Sequence, residues 1–199
     1  MTEGLVVFFK SPRLGEVKSR LASTLGKERA LEVYKGLLAT SLSVAQDWVS
    51  RSPESRRLFP FGSGDRDGYS EAGFPVARPQ VGSDLGLRME RAIRESLRSC
   101  DRVAIIGTDC PWFTVEDLES AFSGLKAKEV RLGPCPDGGY WLMSLSSLSP
   151  GSLSHLPWSE STTRSRVSRR MVGHGYEVKM LKELRDVDVE SDLHGVDLA

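Results

Sequence analysis

Three aspartates follow predicted strands in this sequence, at positions where a bound ligand could reach them. Asp109 stands three residues after the apolar run Val103–Ile106, and Asp186 and Asp188 come after the predicted last strand, Tyr176–Leu181. Mg²⁺ takes one or two protein carboxylates and keeps its remaining positions for water and phosphate oxygens. The pattern therefore indicates a metal site with Asp109 as one ligand and Asp186 or Asp188 as the second. The alternatives are structural: Asp109 turns the chain, and the later aspartates cap a terminal helix.

A basic segment follows the first predicted strand, Leu5–Phe9. Arg binds phosphate oxygens through paired N–H groups and Lys acts as a point charge, so four cations near the end of one strand favour a polyphosphate ligand. The segment has no Walker A sequence and no G-x-G-x-x-G, and a solvated basic loop is the alternative interpretation. Its cationic residues are Lys10, Arg13, Lys18 and Arg20.

A third segment, at the start of a predicted helix, combines an amide, a glycine and an acid. Gln80, Gly82 and Asp84 precede the apolar ladder that begins at Leu85. At a helix entrance these residues could contact the base or ribose of a nucleotide, or an acceptor. The alternative is local, because Asp84 and Arg88 are spaced i, i+4 and such a pair stabilises a helix by a few tenths of a kcal/mol.

Two further segments carry candidate contacts to a substrate or acceptor. Asp137, Gly138, Gly139 and Tyr140 form an Asp-Gly-Gly turn that predicts a hairpin, although adjacent glycines also allow a ligand close to the backbone. Trp158 lies in a polar loop, as a core anchor or as a stacking wall. The three histidines show no spacing typical of a metal site or a catalytic triad.

The elements that must position these residues alternate between strand and helix. This order predicts an α/β sandwich with a mostly parallel sheet, in which ligands bind outside the carboxyl ends of the strands. The predicted helices cover Lys27–Val49, the ladder Leu85–Leu97, a segment capped by Thr114, and Ser161–Val172. The predicted strands are Leu5–Phe9, Leu58–Phe61, Phe74–Arg78, Val103–Ile106, Val130–Leu132, Tyr140–Leu145 and Tyr176–Leu181.

Composition narrows the classes of function. The 199 residues suit a single domain over residues 1–199, and 27 Lys+Arg against 27 Asp+Glu give no bulk charge that favours nucleic acid or membrane. An odd number of cysteines without regular spacing favours a reducing compartment. The start of the chain has no basic region before its short apolar run, and no run is long enough to span a bilayer. We therefore expect a cytoplasmic protein.

Taken together, these motifs resemble the DUF2064 family of the nucleotide-diphospho-sugar transferase superfamily, and the resemblance extends in order over nearly the whole chain. The family pattern K-x-P-x-x-G-x-V-K-T-R-L-A is matched from Lys10 to Ala22, with Ser19 in place of Thr. The later motifs are Q-x-G-x-D-L-G-x-R-M from Gln80 to Met89, G-T-D-C-P at Gly107–Pro111, D-G-G-Y at Asp137–Tyr140, a partial W-S-T at Trp158, and D-V-D-T-x-x-D-L from Asp186 to Leu193 with Val189 in place of Thr.

The resemblance implies a glycosyltransferase-A type fold, a three-layer α/β/α Rossmann-like sandwich, with molybdopterin and phospholactate guanylyltransferases as relatives. It implies that the loop after the first strand binds nucleotide phosphates through Lys10, Arg13, Lys18 and Arg20. It also implies that Asp109 holds Mg²⁺ or Mn²⁺, with Asp186 or Asp188 as second carboxylate. The partners expected are a nucleotide or nucleotide-sugar and a small-molecule acceptor.

The leading hypothesis is a metal-dependent transferase that moves a sugar from a nucleotide-sugar to an acceptor, with Asp109 and Lys18 as catalytic residues. A nucleotidyltransferase that releases pyrophosphate is the close alternative, and a non-catalytic nucleotide-binding protein is the alternative from another class. A phosphatase of the haloacid dehalogenase type is disfavoured, because its D-x-D-x-T motif should end the first strand and this chain has D-V-D-V-E near the C-terminus.

Overall fold

A computed structural model describes residues 1–196 and contains one seven-stranded sheet with the order β3-β2-β1-β4-β6-β5-β7. β6 is antiparallel to β4 and β5, and the other neighbouring pairs are parallel. The predicted α/β sandwich with a mostly parallel sheet is therefore confirmed. The strands are β1 (Glu3–Lys10), β2 (Arg56–Ser63), β3 (Arg78–Pro79), β4 (Arg102–Ile106), β5 (Glu129–Pro134), β6 (Tyr140–Leu145) and β7 (Glu177–Met180).

Six α-helices lie between the strands of the described chain, and one 3₁₀ helix follows β7. The predicted cap at Thr114 is present as a full capping box, because the Asp117 carboxylate accepts from the Thr114 N–H at 3.0 Å. The helices are α1 (Ser19–Leu25), α2 (Lys27–Ser50), α3 (Gly68–Glu71), α4 (Leu85–Ser96), α5 (Val115–Phe122), α6 (Thr163–Gly173) and the 3₁₀ helix Glu190–Leu193.

The helices cover both faces of the sheet, which explains why its central strands are apolar without interruption. Alternate residues of β1 point to opposite faces: Leu5 and Val7 join the core under α2 and α5, and Val6 joins the core under α4 and α6. On the first face the rings of Trp48 and Phe122 stack with centroids 5.2 Å apart. The sheet is thereby fixed from both sides, and the loops at its carboxyl edge rest on a rigid support.

Two expectations for the region between β2 and α4 are wrong. Of the predicted strand Phe74–Arg78, only Arg78 lies in a strand, as the first residue of β3, and α3 lies in a stretch to which the sequence assigned no helix or strand. Phe74 is buried against the ring of Phe9, with centroids 4.8 Å apart, and its carbonyl accepts from the Ala77 N–H in a turn. The apolar spacing in this segment thus reflects anchoring of a turn to the core.

The hairpin predicted at Asp-Gly-Gly is present between β5 and β6. The Asp137 side chain accepts a hydrogen bond from the Gly139 N–H at 2.8 Å, and Gly138 has φ 88, which favours glycine. No helix of residues 1–196 combines the length and the apolar character that crossing a bilayer would require.

Candidate functional site

The carboxyl ends of β1 and β4 lie side by side at one edge of the sheet, because the two strands are adjacent and parallel. Asp109 follows β4, and the segment after β7 returns to the same place. The Val187 N–H donates to the Asp109 carbonyl at 2.9 Å, and the Arg185 guanidinium lies over the Trp112 ring at 4.8 Å. Two segments far apart in sequence are therefore joined by backbone and by a cation–π contact.

Lys18 is the residue around which this site is organised. Its side chain is only 5% exposed, its ammonium contacts the Asp109 carboxylate, and Asp188 Oδ1 lies 3.7 Å away. The ammonium also donates to the Val187 carbonyl at 2.7 Å. The structure thus brings together three of the residues that the sequence predicted for phosphate and metal binding, in one small space.

The backbone of Lys18 is in the left-handed region, with φ 48 and ψ 49, at the position just before α1. A residue with a Cβ pays about 1–2 kcal/mol for this conformation, which persists only where the surroundings enforce it. The contacts of the ammonium with Asp109 and Val187 provide that enforcement.

Arg20 completes the positive side of the site at its solvent edge. Its guanidinium donates to Asp188 Oδ2 at 3.1 Å, and its side chain is 67% exposed. Exposed pairs of this kind contribute about 0–1 kcal/mol to stability. Arg20 can therefore exchange Asp188 for a ligand oxygen at little cost to the fold.

Asp186 is a partly buried acid that forms no ion pair with a basic residue of the described chain, residues 1–196. Burial raises the pKa of Asp186 to about 7, and repulsion from Asp109 acts in the same direction, whereas Lys18 lowers it. The Cys135 thiol donates to Asp186 Oδ1 at 3.6 Å. Burial raises the pKa of the Cys110 thiol to about 12 and raises that of Cys135 as well, which disfavours the thiolate form at both positions.

The chemistry of this donor set fits a hard divalent cation. In residues 1–196 no group of three or more His, Cys, Asp or Glu side chains is already arranged as a metal cage. However, the carboxylates of Asp109 and Asp188 both lie within ion-pair distance of the Lys18 ammonium, and both are partly exposed. Two carboxylates with open positions are what Mg²⁺ or Mn²⁺ requires when phosphate completes its coordination. A metal bound here would take the place of the Lys18 ammonium.

The other two cations of the basic segment lie apart from the carboxylates. Arg13 pairs with Asp65 and, at 3.9 Å, with Glu71, both beyond the end of β2. The Lys10 side chain is exposed, and its backbone N–H and carbonyl both bond to the Tyr34 hydroxyl, at 2.8 and 2.9 Å. The structure thus brings Lys18 and Arg20 to Asp188 and leaves Arg13 at a neighbouring loop.

Gln80 and Asp84 both make hydrogen bonds that stabilise the fold. The Gln80 amide donates to the Phe9 and Phe61 carbonyls at 2.9 and 3.0 Å, so it ties β1 to β2 at their carboxyl ends. Asp84 caps α4 by accepting from the Leu87 N–H at 2.9 Å.

Asp84 and Arg88, which could have paired at i, i+4 on α4, contact other groups instead of each other. Arg88 donates through Nε to the Gly82 carbonyl at 3.1 Å, and the acid faces the His155 ring nitrogen at 3.8 Å. His155, for which the sequence indicated no role, is 83% exposed and has φ 57. Nothing in the spacing of the sequence pointed to this neighbour of Asp84.

The predicted acceptor residues form a packed wall beside α4. A Cβ at Gly86 would lie 2.7 Å from the Trp158 ring, so the indole and this turn of helix are in close contact. The Tyr140 hydroxyl faces Met89 Sδ at 3.8 Å, and burial raises the pKa of Tyr140. The Gly138 carbonyl accepts from the Arg164 N–H at 2.8 Å, which docks the hairpin turn on α6.

Comparison with known proteins gives the same fold. A family model described as an uncharacterized protein conserved in bacteria, DUF2064, matches residues 45–160. A candidate nucleotide-diphospho-sugar transferase from Desulfovibrio desulfuricans G20 is 28% identical with a TM-score of 0.84, over 97% of this chain and 85% of that chain. No curated protein matches in sequence.

More distant structures share the fold alone. The Rv0371c protein of Mycobacterium tuberculosis H37Rv, in complex with manganese, is 16% identical with a TM-score of 0.57, over 98% of this chain and 97% of that chain. A CMP:2-keto-3-deoxy-manno-octonic acid synthetase complexed with CTP is 12% identical with a TM-score of 0.50, over 98% and 96% of the two chains. The structural neighbours are thus sugar transferases and nucleotidyltransferases by name.

Proposed function

The chain belongs to the DUF2064 family, and from its site we propose that it is a metal-dependent transferase that moves a sugar from a nucleotide-diphosphate donor to a small-molecule acceptor. One observation carries this proposal: the Lys18 ammonium lies between Asp109 and Asp188 at the carboxyl edge of the sheet. Opposite charges at this edge match a ligand that combines a cation with phosphate oxygens. The name of the 28% identical neighbour supports the same class of reaction.

In the proposed reaction, an acceptor oxygen bonds to the sugar carbon while the bond between that carbon and the diphosphate breaks. The acceptor's proton passes to water or to the leaving diphosphate, on which negative charge grows. A divalent cation on Asp109 and on Asp188 or Asp186 would supply Lewis acidity at those phosphate oxygens. Lys18 leaves the carboxylates and turns its ammonium to the phosphates, and Arg20 exchanges Asp188 for a phosphate oxygen. Lys10 and Arg13 add positive charge at the outer end of the same loop.

The chain then needs no protein nucleophile, because the work is positioning and stabilisation of charge. The donor's base and ribose are proposed to lie along Gln80, Gly82 and Asp84, next to the ends of β1 and β2. The acceptor is proposed to lie against the turn at Asp137, Gly138 and Gly139 and the wall of Tyr140 and Trp158. This wall packs on the first turns of α4, so the two substrates would meet beside the helix that Asp84 caps.

Nucleotidyl transfer is the second candidate, favoured by a fold shared with a synthetase that binds CTP. There the bond at the α-phosphorus of a triphosphate breaks and pyrophosphate leaves, and the Lys18 ammonium would serve the same purpose. A protein that binds nucleotide without turnover remains the third reading of the same site.

We further propose that residues 1–199 act as one domain, because a single sheet takes strands from β1 to β7. A cytoplasmic setting is proposed from chemistry, since Cys100, Cys110 and Cys135 are separate buried thiols, as is usual where thiols stay reduced.

A thermal-shift panel tests the proposed function. Nucleoside triphosphates and nucleotide-sugars are compared with and without Mg²⁺ or Mn²⁺, because a ligand that binds only the folded state raises the melting temperature by mass action. Asp109→Asn serves as the variant and the exposed Asp47→Asn as the control. We expect metal-dependent shifts with nucleotide-sugars in the wild type and in the control only.

The best ligand is then incubated with acceptor candidates, and both sugar-nucleotide turnover and pyrophosphate are assayed. Turnover without pyrophosphate supports sugar transfer, and pyrophosphate release from a triphosphate supports the second candidate. Metal-dependent binding without turnover supports the third reading. Equal shifts with and without metal would contradict the proposed function.

A further inference from the structure

A groove of about 240 Å³ lies between β3 and α4, and Asp109 is not among the residues that line it. It lies beside residues 80–84, called here the nucleotide segment because the base and ribose are proposed to bind there. One wall is apolar and includes Phe61, Pro79 and Val81. The other wall carries four guanidinium groups along α4 and just past its end. The arginines are Arg88, Arg91, Arg94 and Arg98.

Three of these arginines have no partner among residues 1–196. Arg91, Arg94 and Arg98 are exposed, form no ion pair and donate no side-chain hydrogen bond to the described part of the chain. The one acid that lines the groove, Glu95, pairs with Arg78 at 2.8 Å. The guanidinium groups of these three arginines therefore keep their full capacity to donate to a ligand.

Their spacing has a cost for the helix. Arg88, Arg91, Arg94 and Arg98 follow one another at intervals of three, three and four residues, so neighbouring like charges repel one another. The negative end of the helix dipole offsets part of this repulsion at Arg94, but Arg91 lies in the middle of α4. An anion in the groove would remove the repulsion.

A second groove, of about 420 Å³ along α6, is also lined by arginines, but two of them already have hydrogen-bond partners. There Arg170 already donates to the Gly151 carbonyl at 2.9 Å and Arg166 to the Thr162 hydroxyl at 3.0 Å. These arginines hold the loop before α6 and the start of α6 itself. In the α4 groove, by contrast, only Arg88 is engaged in this way, and Arg91, Arg94 and Arg98 bond to nothing in the described part of the chain.

We propose that the α4 groove is a second binding site, for a small molecule that carries a phosphate group on a compact organic body. Arginine forks match phosphate oxygens, and the exposed side chains of Pro79 and Val81 provide apolar contact for the rest of the molecule. Arg88 connects the groove to the nucleotide segment through the Gly82 carbonyl. The site is distinct from the metal site and does not depend on the reaction proposed there.

An NMR titration of the full chain tests this proposal with site resolution. Inorganic phosphate and a sugar monophosphate are added separately at constant ionic strength, and backbone amide shifts are followed. The reporters are Val81 and Ala92 in the groove, and Leu14 and Gly15 in the loop after β1. The variant Arg91→Gln/Arg98→Gln is compared with Arg166→Gln/Arg169→Gln, which loses the same charge from α6.

We expect saturable shifts at Val81 and Ala92 in the wild type and in the α6 variant, and at least a tenfold weaker response in the α4 variant. A tighter response to the sugar monophosphate identifies an organic phosphate as the ligand class, and equal responses identify free phosphate. Shifts confined to Leu14 and Gly15, or groove shifts that survive Arg91→Gln/Arg98→Gln, overturn the proposal. Neither result depends on metal binding at Asp109.

Discussion

The Lys18 site and the α4 groove handle charge in opposite ways. At the Lys18 site, a nearly buried ammonium meets Asp109 and Asp188, and Arg20 pairs with Asp188 at the rim. Along the α4 groove, Arg91 and Arg98 point to solvent and pair with no acid of the described chain. The first region is neutralised within the protein, and the second is left positive.

The comparison teaches how each region would respond to a ligand. A metal and a phosphate that enter the Lys18 site must replace contacts that the protein already makes, so binding there rearranges Lys18. A phosphate in the α4 groove displaces only water and relieves repulsion. Ligand binding at the Lys18 site is therefore expected to change the conformation of Lys18. In the α4 groove, the free charges are expected to raise the affinity for a phosphate without a change of conformation.

The largest effect is expected from Asp109→Asn, which removes the acid in contact with Lys18. Turnover of the nucleotide-sugar should fall by about 10²–10³-fold or more, because a positioned charge at such a centre contributes several kcal/mol in the transition state. The measurement is kcat/KM beside the exposed Asp47→Asn. Retention of more than a tenth of the wild-type value would show that Asp109 does not hold the reacting charge.

Lys18→Met should separate metal binding from nucleotide binding. Without the ammonium between Asp109 and Asp188, we expect Mn²⁺ to bind about tenfold more tightly in the absence of nucleotide, about 1.4 kcal/mol, and nucleotide to bind more weakly. Electron paramagnetic resonance of free Mn²⁺ measures the first effect. Lys35→Met, an exposed lysine beside Glu71, is the control, and unchanged Mn²⁺ affinity in Lys18→Met would refute competition for one space.

Asp186→Asn should change the dependence of stability on pH. The pKa of Asp186 is raised from 3.8 to about 7, so the folded state binds more protons than the unfolded state between these values and wild-type stability falls as pH rises through this window. The variant lacks this loss, so it should gain about 1–3 kcal/mol relative to the wild type between pH 4 and pH 8. Urea unfolding without metal measures it. Parallel pH profiles of the two proteins would disprove the raised pKa.

The smallest effect is expected from Arg91→Gln in the groove. Arg91 has no ion pair and no side-chain hydrogen bond to lose among the described residues, so the free energy of unfolding should change by less than about 0.5 kcal/mol. Arg56→Gln is the contrast, because Arg56 is 12% exposed, pairs with Glu3 and Glu119 and donates to the Trp48 carbonyl at 2.9 Å. It should lose about 1–3 kcal/mol. Equal losses in the two variants would mean that Arg91 has a structural partner.

The fold was largely predictable from sequence because its central elements carry strong periodic signals. β1 and β4 are apolar runs buried on both faces, and α2 has apolar residues every three or four positions. The prediction of a strand over Phe74–Arg78 failed because the apolar Phe74 anchors a turn to the core and does not belong to a strand that pairs in the sheet. The short helix α3 gave no signal, since four residues between glycines and charges look like a loop.

The individual residues of the candidate site were predictable from the sequence, but the contacts between distant residues were not. The sequence identified Asp109, Lys18 and the later aspartates, since charged residues after strands fall at the edge where ligands bind. The pairing of Arg13 with Asp65, the place of His155 beside Asp84 and the cation–π contact between Arg185 and Trp112 depend on strand order. Strand order leaves no periodic trace in a single sequence.

The most direct test of the central claim is anomalous diffraction from crystals grown with Mn²⁺ and a nucleotide-sugar. The account predicts a manganese peak bonded to Asp109 and to Asp188 or Asp186, with the Lys18 ammonium moved to a phosphate oxygen. A bound nucleotide with Lys18 still on Asp109 and no manganese at these carboxylates would contradict it.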